Sequence, residues 1–129
     1  MESARLELAR RRPEVSLRLC RESAAIQRRL GDRAREALAQ DGAGGACQAL
    51  GRHEEVVELH RRAVALHRGL DARWQLACAL HHLADALDAL GEREQARAAG
   101  EEARELLSAF DDPQAAARSR RLAQLLKRG

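Results

Sequence analysis

The densest set of chemically capable side chains in this sequence is Cys78, His81, His82, Asp85 and Asp88. The steps 78, 81, 85, 88 run 3-4-3, so on a helix those four positions share one face. Three uses of such a face compete. Cysteine, histidine and aspartate are all zinc ligands at suitable spacing, but a closed zinc site needs four of them in a tetrahedron, and one helix seldom completes it. A polar stripe opposite an apolar one is also what any solvated helix requires. The third use is a mildly acidic surface that takes a basic or helical peptide. His53, His60 and His67 form a heptad line, but successive members stand about 10 Å apart along a helix and cannot share an ion. They read as surface or hairpin-contact residues.

Catalytic patterns find no support. The stretch Asp41-Gly42-Ala43-Gly44-Gly45 is rich in glycine but lacks a preceding strand and the Gly-Lys-Ser/Thr of a phosphate-cradling loop. The five serines lie in no G-x-S-x-G elbow, and no Ser/His/Asp trio is suggested. The adjacent acids Glu54-Glu55 and Glu101-Glu102 point about 100° apart on a helix, as solvated pairs do. The sequence therefore predicts a protein that is not an enzyme and needs no cofactor or metal.

The elements that position these residues are helices. Hydrophobic residues make up 45% of the 129-residue chain but aromatics only 2%, so apolar burial must come from Ala, Leu and Val packed closely. Thr, Asn and Tyr are absent and β-branched residues are few, which removes the usual material of strands and hairpin turns. An all-α class follows, as one domain over residues 1–129.

Repetition then fixes the arrangement. Ala49-Leu50-Gly51 returns as Ala89-Leu90-Gly91, forty residues later. Leu30, Leu70 and Phe110 recur at the same spacing, followed by Gly31-Asp32, Asp71-Ala72 and Asp111-Asp112-Pro113. Apolar or small residues fall at 16, 19, 23, 26, 30, then at the same places in the next two periods, which is one helical face three times over. Gly31, Gly51 and Gly91 sit where a helix ends in the left-handed conformation that glycine adopts without steric penalty. Asp111 or Asp112 before Pro113 reads as an N-cap with a first-turn proline. Seven helices are predicted, near 2–10, 13–30, 33–50, 53–70, 73–90, 93–110 and 113–127. They group as an incomplete first hairpin over 1–30, hairpins over 33–70 and 73–110, and a capping helix over 113–127. Gly42, Gly44 and Gly45 crowd one helix and make it the weakest, each being about 1 kcal/mol worse than Ala in a helix interior. Gly44 aligns with Ala84, so close packing accounts for it, whereas the other two have no such reason. The apolar side of the first segment, including Leu6, lacks a cover, so end-on association with another copy is expected.

The stretch from Leu80 to Ala103 resembles a tetratricopeptide repeat, matching that family's pattern at Leu80, Leu83, Ala84, Leu87, Gly91, Ala96 and Ala103. The preceding copy matches at Ala43, Gly44, Cys47, Gly51, Val56 and Ala63. The period of forty is longer than the family's thirty-four, and such long repeats, with a Leu-Gly-Asp turn as at Leu30-Gly31-Asp32, resemble those of actinobacterial transcriptional regulators and signalling NTPases. The DNA-binding and nucleotide-binding domains of those proteins have no counterpart here. The resemblance implies a right-handed superhelical solenoid of antiparallel hairpins whose first helices line a concave groove. It assigns to that groove Cys78, His81, Asp85 and Asp88, with Asp41, Gly45 and Gln48 from the copy before.

Charge placement bears on the partner. Net charge is +4 over residues 1–33, −6 over 34–112 and +5 over 113–129. The basic groups Arg10-Arg11-Arg12 and Arg118, Arg120, Arg121, Lys127, Arg128 are thus parted by an acidic middle, and stacking aromatics are nearly absent, which disfavours nucleic acid. The expected function is a protein-binding adaptor or scaffold that holds a peptide or helix in its groove. The alternatives are a basic-ended nucleic-acid-associated regulator and a self-assembling homo-oligomer. Three dispersed cysteines without a C-x-x-C, no signal peptide and no apolar run of roughly 20 residues point to a reducing cytoplasm and no membrane contact. Arginine in place of lysine, with abundant Ala and Gly, resembles the coding bias of a high-GC bacterium.

Overall fold

A computed structural model of the chain describes the backbone of residues 2–127 and the side chains of residues 12–127. It is all-helical, with α1 over Glu2–Leu30, α2 over Arg33–Ala49, α3 over His53–Gly69, α4 over Arg73–Ala89, α5 over Arg93–Leu107 and α6 over Pro113–Lys127. Each helix packs against the next in chain order, as in a helical repeat solenoid. No strand occurs among the described residues.

Four turns are built the same way, and their sequence explains it. Gly31, Gly51 and Gly91 have φ of +74°, +73° and +79°, while Asp71 takes the corresponding place at +53°. At each, the amide one residue further on returns to a carbonyl five residues back: Asp32 to Gln27 at 2.9 Å, Arg52 to Cys47 at 2.9 Å, Ala72 to His67 at 3.1 Å and Glu92 to Leu87 at 2.9 Å. Such bonds satisfy carbonyls that the end of a helix leaves open. Aspartate is among the few non-glycine residues that tolerate this conformation. Capping residues do the rest. Asp32 Oδ1 accepts the Arg35 amide at 3.0 Å, and Asp112 Oδ1 accepts that of Gln114 at 2.7 Å, with Pro113 opening α6.

One helix, α1, stands where two are expected. Pro13 lies inside it, where proline removes one amide donor and crowds the carbonyl four residues before, yet the helix continues to Leu30. The side chain of Leu6 lies outside the described residues. Further along the same helix Val15, Leu19, Ile26 and Leu30 are exposed, at 41 to 72%. They form a stripe opposite buried Leu17 and Ala24.

The core is made of alanines between larger aliphatics. Ala37, Ala43, Ala63, Ala77, Ala84 and Ala103 are fully buried, and Leu76, Leu80, Leu83, Leu87 and Leu107 fill the space between them. Trp74 and Phe110 meet edge to face at 5.2 Å, tying the start of α4 to the turn after α5. In α2 the glycines separate by role. A Cβ on Gly44 would stand 2.6 Å from His60 Nε2, and one on Gly42 would stand 2.9 Å from Cys20 Sγ, whereas Gly45 has nothing within 4 Å. Close packing therefore accounts for Gly42 as well as Gly44, which corrects the expectation that Gly42 lacks such a reason.

Candidate functional site

The outer stripe of α2 runs Leu38, Asp41, Gly45, Gln48, exposed except for half-buried Asp41, and it faces across to α4. Between them is a pocket of about 240 Å³ lined by Asp41, Gly45, Gln48, Val56, His60, His82 and Asp85. Four of the residues assigned to the groove from sequence, Asp41, Gly45, Gln48 and Asp85, thus line one concavity. The other three lie elsewhere. Asp88 borders a much smaller crevice with Arg93, Arg97 and Leu125. Cys78 is half-buried, and burial pushes its thiol pKa up, with Arg118 lowering it and Asp41 raising it. His81 is 5% exposed.

Asp41 is the anchor of the site. Its Oδ2 accepts from His67 Nε2 at 2.8 Å and its Oδ1 from His60 Nδ1 at 3.2 Å. A carboxylate can only accept, so these bonds place a proton on His60 Nδ1 and on His67 Nε2. Both rings are buried, at 3% and 1% exposure, and Asp41 thereby ties α2 to α3 twice. The hairpin-contact reading of His60 and His67 describes them; the surface reading does not. His53 is half-buried, with Nδ1 enclosed and unpartnered among the described residues. The repeat held a signal for this. The counterparts of His60 and His67 forty residues on are Gly100 and Leu107, both buried, so the two histidines occupy interior positions of the hairpin.

His81 is covered by α6. Arg118 Nη1 donates to His81 Nδ1 at 3.0 Å, and His81 Nε2 lies 3.5 Å from Asp85 Oδ2. A ring nitrogen that accepts from a guanidinium must be unprotonated, so His81 is neutral with its proton on Nε2. Burial, then Arg118 and Arg121, lower its pKa to about 4. His82 stacks beside His81 and tilts against His60, with centroids 6.0 Å and 5.2 Å away. Burial, then His60, Arg118 and His81, lower its pKa to about 4 as well. Asp85 is raised, first by burial. Near neutral pH the groove therefore presents the uncharged imidazole of His82 beside the Asp41 and Asp85 carboxylates and the Gln48 amide, while His81, also uncharged, is covered by α6. Arg118 belongs to this site, and nothing in the basic tail singled it out from Arg120 and Arg121, which are exposed.

Among the described residues no group of three or more His, Cys, Asp or Glu side chains is placed to hold a metal ion. No protein-family model matches the sequence, and no curated protein is significantly similar to it.

Proposed function

We propose that the protein is a non-enzymatic adaptor of the cytoplasm, and that the groove between α2 and α4 binds a peptide or helix of a partner protein. The observation that supports this is the convergence of Asp41, Gln48 and Asp85 on one open concavity walled by buried Val56, by buried His60, which is bonded to Asp41, and by His82. A preformed concave surface with a few aimed polar groups lowers the ordering penalty that a binding partner must overcome. Two carboxylates at the rim favour a partner segment that brings Lys or Arg. The resemblance to tetratricopeptide repeats supports the same face, since the first helices of hairpins line the groove in that family.

The test is a pull-down from source-cell lysate with wild type beside Gln48→Lys/Asp85→Asn, which alters the groove without touching Asp41. Asp88 is left unchanged because it faces a different crevice. A protein retained by the wild type and lost by the variant supports the groove; equal retention by both removes it.

A second reading, self-assembly through α1, is favoured by the exposed Val15, Leu19, Ile26 and Leu30 stripe. Four large apolar side chains on one face mark an association surface. Their spacing of 4, 7 and 4 is symmetrical, so an antiparallel copy would set Val15 against Leu30 and Leu19 against Ile26. Leu19→Glu should abolish any dimer seen by sedimentation, and a wild type that stays monomeric at high concentration ends this reading.

A further inference from the structure

Forty residues separate equivalent positions, so the contact between α1 and α3 can be compared side chain by side chain with that between α3 and α5. The α3/α5 contact is closed by two polar links, Arg61 to Gln95 and Arg68 to Glu102, the latter bidentate with Nη2 to Oε1 at 3.0 Å. The α1/α3 contact keeps the first link as Arg21 to Glu55 at 2.6 Å. It lacks the second. Arg28 stands in the place of Arg68, but its acidic partner Glu102 corresponds to Arg62. Two arginines therefore replace an ion pair. Each turns to a nearby acid, Arg28 Nε to Glu36 at 3.0 Å and Arg62 Nη2 to Glu58 at 3.1 Å. Most of their donors are left without a partner among the described residues.

Two further differences converge on the same spot. Buried Leu80 of the second contact corresponds to Gln40, and Val64 corresponds to the smaller Ala24. The result is a pocket of about 320 Å³ lined by Arg21, Arg28, Arg62, Gln40, Glu55 and Glu58, with Ala24, Ala25 and Leu59 as its apolar surface. Gln40 is 3% exposed and its side chain lines this pocket, which gives the cavity an amide where the second contact has an aliphatic side chain. Each arginine is engaged by one acid through a single nitrogen, Arg21 by Glu55, Arg62 by Glu58 and Arg28 by Glu36, so the charges balance and what the pocket offers is the remaining guanidinium donors.

We propose that this pocket binds a small carboxylate that carries a neighbouring amide. The carboxylate takes the place that Glu102 fills in the second contact and bridges Arg28 and Arg62, while the amide pairs with Gln40. A planar carboxylate suits the guanidinium fork, and the volume suits a ligand of amino-acid to dipeptide size. The site shares no residue with the groove between α2 and α4 and stands whether or not that groove binds a partner.

The probe is N-acetyl-L-alanine, titrated against the full chain by ligand-observed NMR, with N-acetyl-L-alaninamide and inorganic phosphate as comparisons. The expected result is saturable binding of the acid and at least tenfold weaker binding of the amide and of phosphate. Two variants install the residues of the second contact: Arg62→Glu, which gives Arg28 an ion-pair partner, and Gln40→Leu, which fills the floor. Each should reduce binding of the acid at least tenfold while keeping or raising the melting temperature, so that loss of binding is not loss of fold. Should Arg62→Glu unfold, Gln40→Leu decides. No saturable binding of the acid, equal binding of its amide, phosphate binding as tightly as the acid, or affinity unchanged in a folded variant would overturn the proposal.

Discussion

Gly44 and Gly45 are adjacent glycines in one helix, and the structure assigns them opposite responses to the same substitution. Helix propensity alone favours alanine over glycine by about 1 kcal/mol at either position. At Gly45 nothing lies within 4 Å of the added methyl, so Gly45→Ala should stabilise by about that amount. At Gly44 the methyl would meet three atoms of the His60 ring at 2.6 to 3.0 Å. That ring is buried and its Nδ1 is bonded to Asp41, so it can retreat only by breaking that bond. Overpacking of this kind is unfavourable by about 1–3 kcal/mol, and a hydrogen bond to a charged group contributes about 1.5–3 kcal/mol. After the propensity gain is subtracted, Gly44→Ala should destabilise by about 2 kcal/mol. The two variants should then differ by about 3 kcal/mol, or on the order of 10 °C in melting temperature for a domain of this size. Urea unfolding followed by far-ultraviolet circular dichroism measures both. In a His60→Ala background the penalty at Gly44 should vanish, since the clash and the broken bond belong to the same ring. Shifts of the same sign and similar size for the two alanine variants would refute the packing of His60 on Gly44.

Stability should fall as pH drops from about 6.5 to about 4, because His81 and His82 take up protons in the unfolded chain in that window and resist doing so in the folded one. Buried His81 accounts for a contribution on the order of 3 kcal/mol, and the more exposed His82 for less because solvent screens it. Asp85 works the other way: its raised pKa lets the folded state hold a proton more readily, a contribution greatest in acid and lost as pH rises through that value. Urea midpoints across this range check the net slope, which His81→Gln should flatten; a level wild-type profile contradicts it. Asp71→Gly should stabilise by up to about 1 kcal/mol, since it relieves a left-handed aspartate where the other three turns have glycine; thermal unfolding of the pair decides. Asp41→Ala should destabilise by about 3 kcal/mol, because it strips the partner from two buried histidine donors at once, and a loss below about 1 kcal/mol in urea would contradict the double anchor.

The helices after the first and their glycine turns were legible in the sequence because each rests on local chemistry repeated at a fixed period, and the Asp112 cap because a proline follows it; the Asp32 cap was not read. The break expected at Pro13 did not occur, since one missing amide bond is a local defect that a long helix carries. In the groove, Asp41, Gln48 and Asp85 could be placed from register on their own helices. His81 could not, because what covers it is Arg118 from another helix, thirty-seven residues on, and no local pattern states which arginine of a basic run turns inward. The Asp41 anchor was likewise hidden: its partners His60 and His67 read as polar until their counterparts Gly100 and Leu107 show that these positions are interior.

The claim that the groove between α2 and α4 holds a protein partner is tested most directly by photo-crosslinking from a single position. A photoreactive residue placed at Gln48, on the groove rim, should capture the partner from lysate, and the same residue at exposed Ala98 on α5 should not. Capture at Ala98 with none at Gln48 would place the contact on the other side of the hairpins and contradict the account.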